Sequence, residues 1–375
     1  MGPNFPAWLK TQRELRSLSL EEVEISDRIP DWFWDQTPQL RNLRLYNNKL
    51  RGRLPKSLKL APGAFAVDRS SNLFEGPLPL CSRVKILSLK NNSFSGPIPK
   101  NIGEKTWTVE YLDLSKNFLN GNIPSSIVKF KNLQVISLSN NLLSGKIPWW
   151  KPLTSLRVLD FSKNNLSGSI PSSTCSHPRL HILKLSGNNL SGKLSSLQNC
   201  RGISDLGLAD NKFYGGIPKW IGERLSSLSI LSLGGNMFSG KIPENLCYLH
   251  ILELRHNNLS GQIPPCIGNL SSLSYLVPYY PEEPGSHPAY WNEMELKVKG
   301  AILEFTLTLD LVNIIDLSRN NLQGETPKEI TNLSTLGTLN LSWNQLTGSI
   351  QEKIGNLRSS ETLDLSGNYL SGTIP

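Results

Sequence analysis

Apolar residues in this chain form short alternating runs, and the runs recur. Leu156, Leu159 and Phe161 are followed by Asn164, Leu166, Gly168, Ile170 and Pro171. The same order returns at Leu180, Leu183, Leu185, Asn188, Leu190, Gly192 and Leu194. The text is LxxLxLxxNxLxGxIP. Its alternating half predicts a short strand with the Leu positions inward and the x positions outward. The Asn recurs at 48, 72, 92, 117, 141, 164, 188, 211, 236, 257, 320, 344 and 368, in steps of 20–25 residues with one step of 63. A variant copy at 15–30 has Val23 in the Asn slot and brings the number of repeats to fourteen. Self-similarity at a fixed period marks a repeat architecture. One such coil cannot bury its own apolar edge, whereas stacked coils build a parallel sheet over a continuous core. The expected fold is an α/β repeat solenoid.

The polar punctuation fits that fold. An Asn amide both donates and accepts, so stacked Asn side chains can satisfy backbone groups left unpaired at the turn. The Gly suits a backbone position that a side chain would crowd. The Pro fixes φ and brings no N–H that needs a partner. The 29 Gly and 25 Pro among 375 residues are thus mostly turn positions of one repeat. Departures stand out against this text. Arg69 occupies a core Leu slot; a buried unpaired guanidinium is costly, so Arg69 is expected to reach an edge or find a partner. Ser195 and Gln351 replace the Pro, and Thr326 replaces the Ile.

This is the leucine-rich-repeat text, and it resembles the plant-specific subclass with its LxGxIP continuation. The resemblance implies a plant-type leucine-rich-repeat superhelix with a parallel concave sheet. The 63-residue step leaves about 39 residues beyond a normal repeat of 24. The extra text is rich in Pro and aromatics around 277–291. It then alternates in MELKVKGAILEF like a hairpin about Lys299–Gly300. The segment ELKVKGAILEFTLTLDLVNIIDLSRNNLQGETP resembles the island region of plant receptor-like proteins of the ethylene-inducing xylanase receptor and apple scab-resistance group, as does PAWLKTQ…ISDRIPDWFWD. The implied organisation is repeats over 1–276, an island insertion over 277–310 and three repeats over 311–375, the last cut short. The resemblance further implies a protein or peptide ligand from the apoplast, a partner receptor kinase, a plasma-membrane location facing outward, and no catalytic activity.

Charge and chemistry refine this picture. The formal net charge is +9, and Arg41, Arg44, Lys49, Arg51, Arg53, Lys56 and Lys59 fall in one stretch without an acid. A solvated basic face accounts for them; no recognition helix or aromatic platform suggests nucleic acid. Kinase signatures are missing, no apolar run of about 18 residues could span a membrane, and the first residues lack the apolar stretch of a signal peptide. Neither end carries a capping text, so the chain reads as a fragment, a truncated product or an excised ectodomain piece, poorly soluble alone. Asp113 and Asp160 lie two coils apart, roughly 10 Å, near the carboxylate spacing of inverting glycosidases. They belong to the common LDLS strand text, though, and are expected as solvated strand residues. His177 and His181 lack helical spacing, so neither a metal nor a cofactor is expected. Cys175 with Cys200, and Cys247 with Cys266, occupy similar places in neighbouring coils and are disulfide candidates; Cys81 is left over. Sequons fall at Asn91, Asn165, Asn189, Asn258, Asn269, Asn332 and Asn340, which suits a secreted glycoprotein.

Candidate contacts follow from exposed strand positions and from residue types that interfaces favour. Tyr46, Tyr111 and Trp343 are expected to project from concave strands. Arg44, Tyr111, Glu253 and Arg255 are candidate ligand contacts there. Tyr290, Trp291, Lys297 and Lys299 are candidates in the island, where Tyr279 and Tyr280 add aromatics. Asp316, Arg319 and Trp343 are candidates for docking a co-receptor kinase. Trp32, Trp34, Trp149 and Trp150 are expected to be structural. Two alternatives are a soluble inhibitor of cell-wall-degrading enzymes, against which the insertion argues, and a truncated product without function.

Overall fold

Each LxxLxLxx run forms a three- to five-residue strand, and strands of successive coils pair in parallel. The computed structural model describes residues 4–151, 153–246, 249–269, 294–298, 301–305 and 313–375. Contacts divide the chain into two compact units, Met1–Leu190 and Ser191–Pro375. The main sheet of the first unit runs β1 (Ser17–Ser19), β2 (Asn42–Arg44), β3 (Ala64–Asp68), β4 (Val84–Ser88), β5 (Tyr111–Asp113), β6 (Val135–Ser137), β7 (Val158–Asp160) and β8 (Ile182–Lys184). That of the second runs β9 (Asp205–Gly207), β10 (Ile230–Ser232), β11 (Ile251–Glu253), β12 (Ile314–Asp316), β13 (Thr338–Asn340) and β14 (Thr362–Asp364). The register aligns equivalent residues, as in Leu112 with Ile136 and Leu159 with Leu183. These central apolar residues are buried and form the core.

The LxGxIP half builds a second parallel sheet and the return path. In the first unit it contains Arg51–Arg53, Leu73–Gly76, Ser93–Pro97, Phe118–Asn122, Leu142–Lys146 and Asn165–Gly168. A short 3₁₀ turn often follows, with the Pro just before it. Pro124, Pro171 and Pro327 hold φ at −72°, −64° and −62° in extended backbone ahead of such turns. Where Gln351 replaces that Pro, its Nε2 donates to the Thr326 carbonyl at 2.6 Å, tying it to the preceding coil. At one copy of the Gly, conformation rather than space is what requires it. Gly121 has φ +73°, yet the nearest atom to a Cβ placed there is 3.7 Å away. An L side chain would be strained there without any clash.

The Asn ladder works as its chemistry requires. Asn117 Nδ2 donates to the carbonyls of Leu114 and Ser115 in its own coil and of Leu89 in the preceding one. Its Oδ1 accepts the Phe94 N–H at 3.0 Å. The ladder also crosses the insertion: Asn320 Nδ2 reaches Leu254 O at 3.0 Å, and Leu259 N–H donates to Asn320 Oδ1 at 3.0 Å. β11 pairs directly with β12, so the inserted residues leave the coil without breaking its register. Within them Met294–Val298 pairs antiparallel with Ala301–Phe305, the expected hairpin.

Arg69 takes the second of its two expected outcomes, a partner, in an unexpected form. It does not escape to an edge: it is fully buried, and Nε, Nη1 and Nη2 have no hydrogen-bond acceptor. Its guanidinium lies 5.1 Å from the ring centre of Trp34. The compensation is thus a cation–π contact, and burial lowers its pKa to about 10. The buried free thiol of Cys81 interacts with it electrostatically; burial raises that thiol to about 11.

Candidate ligand-binding surface

Polar side chains leave the main sheet at the last position of many strands, and many are tied down locally. Asp113 Oδ1 accepts both the backbone N–H and the hydroxyl of Ser115, at 2.9 and 2.6 Å. Asp68, Asp160, Asp316 and Asp364 repeat the arrangement with the Ser two residues on. Asp113 is therefore no solvated strand residue: it is 5% exposed, and burial raises its pKa. The LDLS text encodes an Asp–Ser brace along the sheet.

The predicted contacts fall into three groups. In the first unit, Arg44 pairs with Glu21 at 3.8 Å and stays half-buried. Tyr111 and Tyr46 are both buried rather than projecting, and the Tyr111 hydroxyl bonds Gln134 Oε1 at 3.2 Å. Tyr111 is the first residue of β5, in register with Ile86 and Val135 of the neighbouring strands. In the second unit, Glu253, Arg255 and Asp316 come together. Glu253 is 3% exposed; its Oε2 accepts from Ser232 Oγ at 2.6 Å and Gly234 N–H at 3.1 Å. Oε1 forms an ion pair with Arg255 Nε at 2.9 Å, without the alignment of a hydrogen bond. Arg255 Nη2 donates to both Asp210 oxygens at 3.2 and 3.0 Å. Burial above all pushes Glu253 up to about 7; Arg255 and the two donors pull it down, and Asp316 adds to the rise. Arg319 and Trp343 form the third group. They occupy equivalent turn positions of adjacent coils, with φ +54° and +57°. Trp343 is 62% exposed, and its indole lies over Gly367 of the next coil. It sits on the turn after β13 rather than within the strand.

Sequence reasoning missed Asp210 and the two glycines that make the second group possible. A Cβ on Gly234 would overlap Glu253 Oε1 and crowd Arg255 Cγ, and one on Gly235 would overlap Asp210 Oδ1. The signal was legible: LSLGGN has Gly234 where the other coils carry a side chain, next to a second Gly at a position that is Gly elsewhere only at 187 and 367. Tyr279, Tyr280, Tyr290, Trp291, Lys299 and Cys247 lie outside the described residues, and for Lys297 and Asn269 the backbone alone is described. Cys175, Cys200 and Cys266 are each disulfide-bonded. His177 is buried, and its Nδ1 accepts the Leu153 N–H at 2.9 Å. Among the described residues no group of His, Cys, Asp and Glu could hold a metal ion. Trp32 lines a cleft of about 560 Å³ with Lys10, Arg13, Asp35, Gln36, Pro38 and Gln39, none of them a predicted contact.

Ten segments match the Leucine Rich Repeat family model: 39–60, 83–104, 108–130, 132–150, 155–177, 227–249, 248–270, 312–333, 335–357 and 359–375, more than half of the chain. The chain belongs to the leucine-rich-repeat family. Within this family it is similar to plant receptor-like proteins. It is 39% identical over 350 residues to receptor-like protein EIX2 of Solanum lycopersicum, covering 90% of this chain and 32% of that protein. It is 33% identical over 190 residues to receptor-like protein 35 of Arabidopsis thaliana, covering 41% and 20%. The leucine-rich-repeat chain thus spans about a third or less of these relatives. Its fold is shared by the plant peptide hormone receptor RGFR1 in complex with RGF2, with a TM-score of 0.78 and 29% identity over 100% of this chain and 55% of that one. It is also shared by the Arabidopsis receptor kinase HAESA in complex with the peptide hormone IDA and the co-receptor SERK1, with a TM-score of 0.65 and 29% identity over 99% and 61%. No helix among the described residues is long and apolar enough to cross a membrane.

Proposed function

We propose that this chain is the ligand-recognition part of a plant cell-surface receptor-like protein without a kinase. It binds an apoplastic protein or peptide on the exposed face of the main sheet together with the insertion at 277–310. It signals through a partner receptor kinase that docks on the coils after the insertion. The observation that carries this reading is the likeness to receptor-like protein EIX2 over 90% of the chain. Solved relatives that bind peptide hormones, one of them with a co-receptor, support it. The Asp–Ser braces support a recognition role over catalysis, because they commit carboxylate oxygens to backbone and hydroxyl donors. The ligand contacts assigned are Arg44 and Arg255 on the sheet, with Glu253 buried beneath Arg255 as its support, and Tyr290, Trp291, Lys297 and Lys299 in the insertion; Tyr111, at 5% exposure, is no longer among them. Arg319 and Trp343 are assigned to co-receptor docking, with Asp316 of the same coil as Arg319 buried and held by Ser318. A plasma-membrane location facing outward goes with this reading.

The test separates the two surfaces in a full-length receptor carrying this segment. Arg255→Glu should weaken ligand binding. Trp343→Ala should leave ligand binding intact and lower the ligand-induced recovery of the kinase on co-immunoprecipitation. Equal ligand binding and equal kinase recovery in both variants would sink the assignment.

A further inference from the structure

The second unit holds a carboxylate and a guanidinium that no repeat text requires. Arg255 stands where neighbouring strands carry Ser318 and Gly234, and Glu253 lies beneath it almost fully buried. Two consecutive glycines leave the room for Glu253, Arg255 and Asp210, since a Cβ on either would overlap them. The guanidinium is held from two sides: Nε faces Glu253 Oε1 at 2.9 Å, and Nη2 meets Asp210 Oδ2 at 3.0 Å. Asp210 is more than half exposed, whereas Glu253 is not. One clamp is therefore dry and the other wet.

We propose that Asp210, Glu253 and Arg255 form a proton-operated latch on the main sheet of the second unit. With Glu253 ionised, Arg255 is fixed between two carboxylates. With Glu253 protonated, the Nε side is released and the guanidinium depends on exposed Asp210, so the surface presents a more mobile cation and one negative charge fewer. Applied to the proposed ligand surface, the latch makes the contact at Arg255 more favourable to an acidic group of the ligand when protonated. Its test needs no ligand, so its failure and the failure of the binding assignment are distinguishable.

The groups facing Glu253 set where it titrates. From β10 come Ser232 Oγ and Gly234 N–H, neither of them titratable in this range. From its own strand region comes Arg255, which favours the anion. From β12 comes Asp316, which disfavours it. Glu253 is pushed from 4.5 to about 7. An acid whose folded pKa is raised binds its proton more tightly when folded, so its contribution to stability is full below about 4.5. That contribution is lost as pH rises through about 7.

Unfolding of the full chain, followed by denaturant titration from pH 4.5 to 8, reads this directly. Glu253→Gln mimics the protonated state. Relative to wild type, its folding equilibrium constant should rise by roughly 150-fold between pH 4.5 and 8. Arg255→Gln should move the titration of Glu253 to higher pH, and Asp316→Asn to lower pH. Asp316→Asn is the safe variant for folding, because Asn340, at the same position of β13, already takes the same two bonds from Ser342. A wild-type profile that Glu253→Gln leaves parallel, or that Asp316→Asn does not shift, would overturn the latch.

Discussion

Replacing Arg69 by Leu, the residue the repeat places in its slot, should stabilise the first unit. Burial holds the guanidinium at about 10 against an ordinary 12.5. At 1.36 kcal/mol per pKa unit, keeping it charged costs the folded state about 3 kcal/mol at neutral pH. Leu removes that cost and restores an apolar contact in the core. It forfeits the stack on Trp34, which contributes about 1–2 kcal/mol in a desolvated site. The net gain is about 1–3 kcal/mol, or roughly 2–10 °C in Tm for a unit of this size. The sign also appears in the pH dependence. A base whose folded pKa is depressed destabilises fully below that pKa, and the penalty fades as pH rises from about 10 toward 12.5. Wild type should therefore gain on Arg69→Leu across that range. Arg69→Lys, which keeps the charge but lacks the planar group to lie on Trp34, should melt below wild type. Scanning calorimetry at pH 7 is the assay. An Arg69→Leu transition at or below the wild-type temperature would refute the reasoning, because it would mean the contact with Trp34 compensates the buried charge in full.

Other parts of the account are open to simple measurements. Burial lowers the pKa of His177, so the stability tied to its neutral form is present above about 6.5 and lost as pH falls below it. His177→Ala should cost about 1–3 kcal/mol at pH 8 by orphaning the Leu153 N–H, and less at pH 5; a pH-independent cost would contradict this. Alkylation in denaturant without reductant should label Cys81 and leave Cys175, Cys200 and Cys266 unlabelled, as mass mapping would show. In a secreted preparation glycans should occupy Asn165, Asn258 and Asn332, which are exposed. Asn340 should stay bare, because its Oδ1 holds the Ser342 N–H and hydroxyl in the sheet; a glycopeptide containing Asn340 would count against this.

Much of the fold was legible because each structural device has its own letter. The Leu alternation set the strands, the Asn set the ladder, and the Pro set the entry to the return turns. The insertion was legible from the 63-residue step, and its hairpin from the alternation on either side of Lys299–Gly300. What a coil's own text could not reveal was interaction between coils. Tyr111 looked like an exposed aromatic, but its first-strand position packs it against the next coil, where it meets Gln134. Asp113 looked solvated, although the Ser two residues later already supplied the brace. Arg69 was recognised as misplaced, yet its aromatic partner Trp34 lies in an earlier coil. Asp210, Gly234 and Glu253 come from three successive coils, and their clustering is visible only once the coils are stacked in register.

The central claim is that recognition uses the main sheet together with the insertion. The most direct measurement is ligand response and ligand binding of a full-length receptor carrying this segment, with and without residues 277–309, at equal surface levels. Because β11 and β12 pair directly across the insertion, the deletion should leave the coils stacked and the receptor at the surface. The account predicts that both response and binding are lost. Binding and response equal to wild type would contradict it.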